Sequence, residues 1–266
     1  MRTTGLVVTA LVWSVLACFL QTAYAQDDRA ALPPLIKVCD VEWPPYAFHK
    51  RDDGGVEGEV AGYSVDFLKA ILSSANIKAE IHLLPQKRCE HLVDTGAYDL
   101  LLDESFNLDR AQRFLITVPY YQLTDVYITL TDKPVPAITT PRDFHSLNVC
   151  GEMGFNYRNF GVPDEEIDTS YQSFEAAMKK LASGYCDVVL ARSEIAAGQT
   201  FIGGTNYVAD PKYQVHTLPY AAPAPFHMMA SRNTPYARAL ADLLNDGIDR
   251  LHRSGAAARL MEPYRK

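Results

Sequence analysis

Residues 98–121 read Y-D-L-L-L-D-E-S-F-N-L-D-R-A-Q-R-F-L-I-T-V-P-Y-Y and combine a strand signal with a group of polar side chains. The first five residues form a short apolar run, typical of a buried strand, which Asp103 and Glu104 bring to an end. Polar groups beyond the carboxyl end of such a strand lie where α/β sheets bind ligands. Here Arg110 can hold a carboxylate through two parallel hydrogen bonds, and Ser105 can add a third. A solvated loop with one surface arginine fits the same spacing, so both interpretations stay open.

The pattern around this stretch is that of an α/β protein. Short apolar runs predict strands at 35–41, 78–84, 98–102, 147–151, 187–191 and 226–230. Apolar residues at helical spacing predict helices at about 64–75, with Ser64 as N-cap, and at 87–95, 174–183 and 236–252. Alternation of strands and helices predicts parallel strands joined by right-handed crossovers.

The first 25 residues have the pattern of a secretory signal peptide. Arg2 precedes an apolar run at 5–20, and Ala23-Tyr24-Ala25 is a small-x-small cleavage site. The run is shorter than the ~20 residues that a membrane span needs. Lipidation at Cys18 is the alternative, but the cleavage site that follows so closely favours ordinary cleavage.

Composition limits the classes of partner. Cleavage after residue 25 leaves 24 basic and 32 acidic residues, a net charge of −8, which argues against nucleic acid and anionic membrane surfaces. Nearly half of the residues are apolar, so the chain can bury substantial cores. No metal-binding spacing of cysteine or histidine is present, and the sequence implies no cofactor.

Cysteine usage agrees with export. Apart from Cys18, the chain has Cys39, Cys89, Cys150 and Cys186, and an even number in an oxidising compartment implies two disulfides with three possible connectivities. We pair Cys39 with Cys89 and Cys150 with Cys186, because each pair then lies inside one lobe of the architecture predicted next.

Two proline-rich passages divide the chain. D-K-P-V-P at 132–136 and P-Y-A-A-P-A-P at 219–225 are typical of linkers, and the strand–helix pattern restarts between them. We therefore predict a discontinuous first lobe, 26–133 plus 226–266, and a second lobe, 134–225. A ligand cleft between the lobes and a hinge that can close follow from this arrangement.

The order of several motifs resembles the bacterial family 3 solute-binding proteins, the polar-amino-acid type of periplasmic receptor for ABC importers. The motifs are W-P-P-Y at 43–46, G-Y-S-V-D at 62–66, S-F-N-L-D-R at 105–110, P-Y-Y at 119–121, G-Y-C-D at 184–187 and D-G-I at 246–248. The resemblance covers about residues 35–264 and is closest to a cysteine-containing subgroup with one disulfide per lobe. It implies the type II two-lobe periplasmic-binding-protein fold, in which each lobe is a mainly parallel sheet flanked by helices and a two-segment hinge joins them.

The resemblance also implies ligand contacts. Arg110 and Ser105 fall on positions that hold a ligand's α-carboxylate, Trp43 on the aromatic residue that packs on the ligand side chain, and Gln86 on another side-chain contact. The expected partners are a small carboxylate-bearing ligand and an ABC permease in the inner membrane, with the receptor a monomer in the periplasm.

A second group of implied contacts is a turn. Gly154, Phe155 and Asn156 fall on a turn whose backbone amides meet the same carboxylate, and the start of a helix there favours anion binding.

Two positions depart from the family's pattern. The acidic residue that binds the ligand's α-ammonium is replaced by Arg192, and a small pocket residue is replaced by Asp103. Asp103 could take over the ammonium, Asp103 and Arg192 could pair across the cleft, or the ligand is not an α-amino acid. Alternatively, Arg192 points away and pairs with Glu194 or solvent.

Two other functions use the same fold. A periplasmic dehydratase-like enzyme needs a positioned acid or base, for which Asp103, Glu104, Glu152 and Glu194 are candidates, but no nucleophile–base pair is apparent. A ligand-sensing subunit for a membrane receptor would use the same cleft. The sequence favours a transport receptor that is not an enzyme.

Overall fold

The computed structural model describes residues 32–51 and 57–265. The predicted signal peptide and Cys18 lie outside the described residues. Within the described ranges, no helix has the length and apolar character needed to cross a membrane.

The described chain forms the following elements. The strands are β1 (Leu35–Asp40), β2 (Phe48–Arg51), β3 (Glu57–Ala61), β4 (Lys78–Leu83), β5 (Leu100–Ser105), β6 (Phe114–Ile116), β7 (Tyr121–Leu123), β8 (Asp125–Leu130), β9 (Val149–Glu152), β10 (Ile167–Tyr171), β11 (Val188–Arg192), β12 (Tyr213–Thr217) and β13 (Ala224–Ser231). The α-helices are α1 (Tyr63–Ser73), α2 (Gln86–Asp94), α3 (Leu108–Arg113), α4 (Phe174–Ala182), α5 (Ser193–Gly198), α6 (Ala237–Arg253) and α7 (Ala256–Met261).

The first sheet has the order β4-β1-β5-β13-β6, and β7 also pairs with β13. Its β1 pairs in parallel with both β4 and β5, whereas β13 runs antiparallel to its neighbours. Strand β5 is buried along almost its whole length, as expected for a strand covered on both faces. The loops after β1 and β5 therefore lie at one edge of this sheet, where parallel strands end.

The second sheet has the order β10-β9-β11-β8-β12. The pairs that β9 makes with β10 and β11 are parallel, and those that β8 makes with β11 and β12 are antiparallel. Strand β8 is buried at every position and forms the centre of a second apolar cluster with α4. The two sheets are thus mixed, and each carries its own core.

The chain crosses to the second sheet between β7 and β8 and returns between β12 and β13. The predicted first lobe ends at residue 133, yet β8 already belongs to the second sheet. Pairing of β8 with β11 buries its apolar side chains, which the proline signal at 132–136 could not reveal. The lobe boundaries themselves stay a prediction.

Two local predictions were wrong. Strand β5 does not end before Asp103 but continues through Ser105, because Asp103 has a positive φ of 54° and the register against β13 shifts beside it. Such an irregularity re-aims side chains without ending the strand. Helix α1 is not capped by Ser64. Its N-cap is Gly62 at φ 131°, where an added Cβ would lie 2.1 Å from the carbonyl oxygen of Tyr46.

Both predicted disulfides are confirmed. Cys39 of β1 bonds to Cys89 of α2, with 5.4 Å between their Cα atoms, and Cys150 of β9 bonds to Cys186, with 5.9 Å. The first bridge joins β1 to helix α2, and the second joins β9 to the segment between α4 and β11. The loops of 50 and 36 residues each contribute about 4 kcal/mol in the chain-entropy model.

Candidate functional site

A cavity of about 40 Å³ collects most of the predicted ligand contacts. It is lined by eight of the nine predicted residues, namely Trp43, Gln86, Asp103, Ser105, Arg110, Phe155, Asn156 and Arg192. The ninth, Gly154, is adjacent to Gln86, since an added Cβ on Gly154 would lie 3.2 Å from the Cβ of Gln86. Residues distant in sequence and attached to different sheets therefore meet at one place. The volume is about what one or two water molecules need.

A larger groove of about 710 Å³ adjoins this inner cavity. Six residues line both spaces: Trp43, Gln86, Glu152, Phe155, Phe174 and Ile195. The two spaces are therefore neighbours separated by these side chains. Together they offer enough volume for a small ligand, whereas the inner cavity alone does not.

Aromatic side chains form much of the boundary between the inner cavity and the groove. The rings of Trp43 and Phe155 stack with 4.9 Å between centroids and 16° between planes. Trp43 follows β1 of the first sheet, and Phe155 follows β9 of the second. Phe155 thus covers one face of Trp43, and a ligand that packs on that face has to displace Phe155.

Arg110 is buried and its guanidinium is fully engaged by protein groups. Its Nη2 lies 2.7 Å from Glu104 and 3.0 Å from Glu90, and its Nε donates to Glu90. Its Nη1 donates to the carbonyl oxygen of Ser105 at 2.8 Å. Burial raises the pKa of Glu104 in spite of Arg110. A ligand carboxylate can reach Arg110 only in competition with these carboxylates.

Ser105 links the two sides of the cavity. Its hydroxyl lies 3.3 Å from Nη1 of Arg110 and accepts a hydrogen bond from Nδ2 of Asn156 at 3.0 Å. Asn156 belongs to the turn that was predicted to open a helix. That expectation was wrong in detail, because only a 3-10 turn, Arg158–Phe160, follows.

Asp103 lies in a buried hydroxyl network. Its Oδ1 accepts hydrogen bonds from the hydroxyls of Ser64, Tyr120 and Tyr121, the last at 2.8 Å. Oδ2 of Asp103 and Oδ2 of Asp40 are both buried. Neither oxygen accepts a hydrogen bond from another group among the described residues. Burial and then the charge of Asp103 raise the pKa of Asp40 well above its ordinary value. The raised pKa favours the protonated form of Asp40, which can donate a hydrogen bond to Asp103.

Arg192 pairs with Asp125, its register partner on β8. The Nη1–Oδ1 distance is 2.8 Å, and both side chains are buried. The guanidinium carbon also lies 4.8 Å from the ring centroid of Phe160. In this structure Arg192 contacts neither Asp103 nor Glu194, the two partners considered from the sequence, because neighbouring strands place Asp125 opposite Arg192. This contact depends on the unpredicted pairing of β11 with β8.

Glu152, at the end of β9, lines both the cavity and the groove. Its carboxylate has no hydrogen bond or ion pair with any residue in the described part of the chain. Burial raises the pKa of Glu152 to about 8. Sequence reasoning had singled it out only as one of several acids that an enzyme could use.

Sequence reasoning missed the partners that engage the predicted residues. Glu90 is one of them, and its signal was its position on the buried face of α2 with Gln86, Cys89 and Val93. An acid on such a face needs a cationic partner. Asp125 had no such signal, because its burial depends on the position of β8 inside the second sheet.

Comparison with known proteins identifies the family. A model of the bacterial extracellular solute-binding proteins, family 3, matches residues 35–266, and the chain belongs to this family. It has the two-lobe, type II periplasmic-binding-protein fold with mixed α/β lobes.

Individual relatives are distant. The chain is 22% identical over 217 residues to a probable histidine-binding protein of Neisseria gonorrhoeae, which covers 78% of this chain and 76% of that protein. Among solved structures, an ABC uptake transporter substrate-binding protein from Streptococcus pneumoniae with bound histidine is 17% identical, with a TM-score of 0.71 and coverage of 87% and 92%. The amino acid ABC transporter substrate-binding protein AbpA from Streptococcus pneumoniae, bound to L-arginine, is 17% identical, with a TM-score of 0.69 and coverage of 87% and 94%. At such identities the structures establish the fold alone.

Proposed function

We propose that this protein is a periplasmic receptor that binds a small polar, carboxylate-bearing ligand and delivers it to an ABC permease in the inner membrane. The ligand class is an amino acid or a related organic acid. Membership of an extracellular solute-binding family supports this role, and so does the similarity to a probable histidine-binding protein. The proposal takes the receptor to be a monomer that binds without catalysis.

The observation that carries the proposal is a pair of buried donors. Nε1 of Trp43 and Nε of Arg192 are buried and have no acceptor among the described residues. Both residues line the inner cavity. Buried N–H groups are almost always hydrogen-bonded. Two buried N–H groups without an acceptor, both on residues of one cavity wall, therefore point to a ligand that brings acceptor oxygens. A carboxylate has two acceptor oxygens, and it is therefore a ligand group that can satisfy donors of this kind.

Arg110 and Ser105 complete the proposed carboxylate site. Binding there would exchange the carboxylate of Glu104 for that of the ligand, and burial already raises the pKa of Glu104. A protonated Glu104 gives up its ion pair with Nη2 of Arg110, while Glu90 keeps its contacts with Nη2 and Nε.

Ligand entry requires movement. The stack of Trp43 and Phe155 has to separate, because the inner cavity of about 40 Å³ is smaller than an amino acid. We propose that the hinge lies where the chain passes between the two sheets, after β7 and before β13. Rotation there moves Phe155 away from Trp43 and joins the cavity to the groove.

A thermal-shift screen of the mature protein tests this function. Amino acids, dicarboxylates and amines are added at up to millimolar concentration, and hits are measured by calorimetry. A ligand at 100 times its dissociation constant adds about 2.7 kcal/mol, which raises the melting temperature by roughly 5–10 °C in a protein of this size. If no carboxylate-bearing compound raises it, the proposed function is wrong.

A further inference from the structure

The acidic side chains that line the inner cavity differ in how they are paired. Asp103 accepts three hydroxyl hydrogen bonds and one from Asp40. Glu104 lies 2.7 Å from Arg110. Glu152 alone among the described lining acids has no partner.

The acidic side chains that line the groove are also paired, except for Glu152. Glu42 pairs with Arg51 at 2.7 Å, and Glu175 pairs with Lys179 at 2.8 Å. Glu152 is the one acid among the six described residues that line both spaces, so the unpartnered carboxylate lies at their junction.

The surroundings of Glu152 suit a cation. Trp43, Phe155 and Phe174 line the same two spaces as Glu152, and their ring faces attract positive charge. A buried carboxylate is unfavourable when ionised, as the pKa of about 8 for Glu152 reflects, unless an opposite charge accompanies it. A cation placed between this carboxylate and the rings would compensate its charge.

Residue 192, which by resemblance to the family would be the acid that binds the ligand's α-ammonium, cannot supply a negative charge. Arg192 is a cation, and Asp125, which lies 2.8 Å from it, is already paired. A ligand with a positive group therefore has to find its counter-charge elsewhere in the site.

We infer that Glu152 binds the cationic group of the ligand, at the junction of the inner cavity and the groove. This inference rests on the proposed function and narrows its ligand class to compounds that carry an ammonium, guanidinium or imidazolium group. The carboxylate lies toward the donors of the inner cavity, and the remainder of the ligand extends into the groove.

The test is calorimetry with wild type, Glu152→Gln and the control Glu165→Gln, whose side chain is exposed and lines neither space. The probes are L-arginine, L-histidine, agmatine, which lacks the carboxylate of arginine, and succinate, which lacks a cation. Glutamine has the shape of glutamate without its charge, so the variant should fold, and thermal melting checks this. We expect Glu152→Gln to weaken cationic probes by tenfold to a hundredfold, the loss of one charge-assisted hydrogen bond. The control should bind like wild type.

The other outcomes separate failure of the inference from failure of the proposed function. Equal binding of L-arginine or L-histidine by Glu152→Gln and wild type overturns the inference and leaves the proposed function intact. Binding of agmatine alone, with loss in Glu152→Gln, supports the cation site and contradicts the carboxylate requirement. If wild type binds succinate only, or none of the four probes, the inference is wrong.

Discussion

The pairing of Arg192 with Asp125 can be tested by a double-mutant cycle. The variants are Asp125→Asn, Arg192→Gln and the double substitution. Both side chains are buried and their charged atoms are 2.8 Å apart. Burial raises the pKa of Asp125 even with Arg192 beside it, so the cost of desolvation exceeds the attraction between the two groups. Such a pair adds little net stability, but removal of one partner leaves a buried charge uncompensated.

These facts set the expected magnitudes. Asp125→Asn should lower the free energy of unfolding by about 3–5 kcal/mol, because an unpaired arginine cannot give up its proton. Arg192→Gln should cost less at pH 5 than at pH 8. The remaining Asp125 has a raised pKa, so its contribution is complete at low pH and is lost as pH rises. The double substitution removes both charges and should cost at least ~2 kcal/mol less than the sum of the single changes.

Urea unfolding of the mature protein, followed by circular dichroism at pH 5 and pH 8, measures all four species. The parallel cycle of Asp103→Asn with Arg192→Gln is the control, and its coupling should be below about 0.5 kcal/mol. A coupling of that small size between Asp125 and Arg192 would refute the pairing. A large coupling in the control would favour the alternative from the sequence, in which Arg192 and Asp103 interact.

Three further predictions concern other buried groups. Since the pKa of Asp40 is raised above its ordinary 3.8, its contribution to stability is complete below that pH and is lost as pH rises through the folded value. The melting temperature of Asp40→Asn should therefore fall less than that of wild type between pH 5 and 9, and parallel curves would contradict the raised pKa of Asp40. For a carboxylate ligand, calorimetry should show binding at least tenfold weaker in Arg110→Lys and tighter in Glu104→Gln, which removes a competing charge. An unchanged affinity in both variants would exclude Arg110 from the site. Replacement of Cys39 and Cys89 by serine should cost about 4 kcal/mol in urea unfolding, and a loss below 1 kcal/mol would show that this bridge does not constrain the unfolded chain.

The sequence by itself predicted the strands β1, β4, β5, β9, β11 and β13 and the cysteine pairing, but not β8. Apolar runs such as that of β5 are local signals, because a strand buried on both faces needs consecutive apolar residues. The pairing of Cys39 with Cys89 followed because sequence order placed each pair in one lobe. The order of the motifs also predicted ligand contacts, and eight of those residues line one cavity.

Only the tertiary structure decided which charged side chains of that cavity wall are already paired. Arg110 looks available in the sequence, but α2 brings Glu90 to within 3.0 Å of it. Arg192 looked free to pair across the cleft, but strand β8 places Asp125 opposite it. Contacts between residues 20 to 67 positions apart depend on how elements pack, and no local pattern records them.

The special position of Glu152 has the same origin. In the sequence it is one acid among 32 acidic residues. Its distinction is the absence of a partner among the described residues, which depends on every side chain packed around it. Burial and pairing are properties of the folded chain because desolvation and Coulomb energies depend on distances in space, not on separation in sequence.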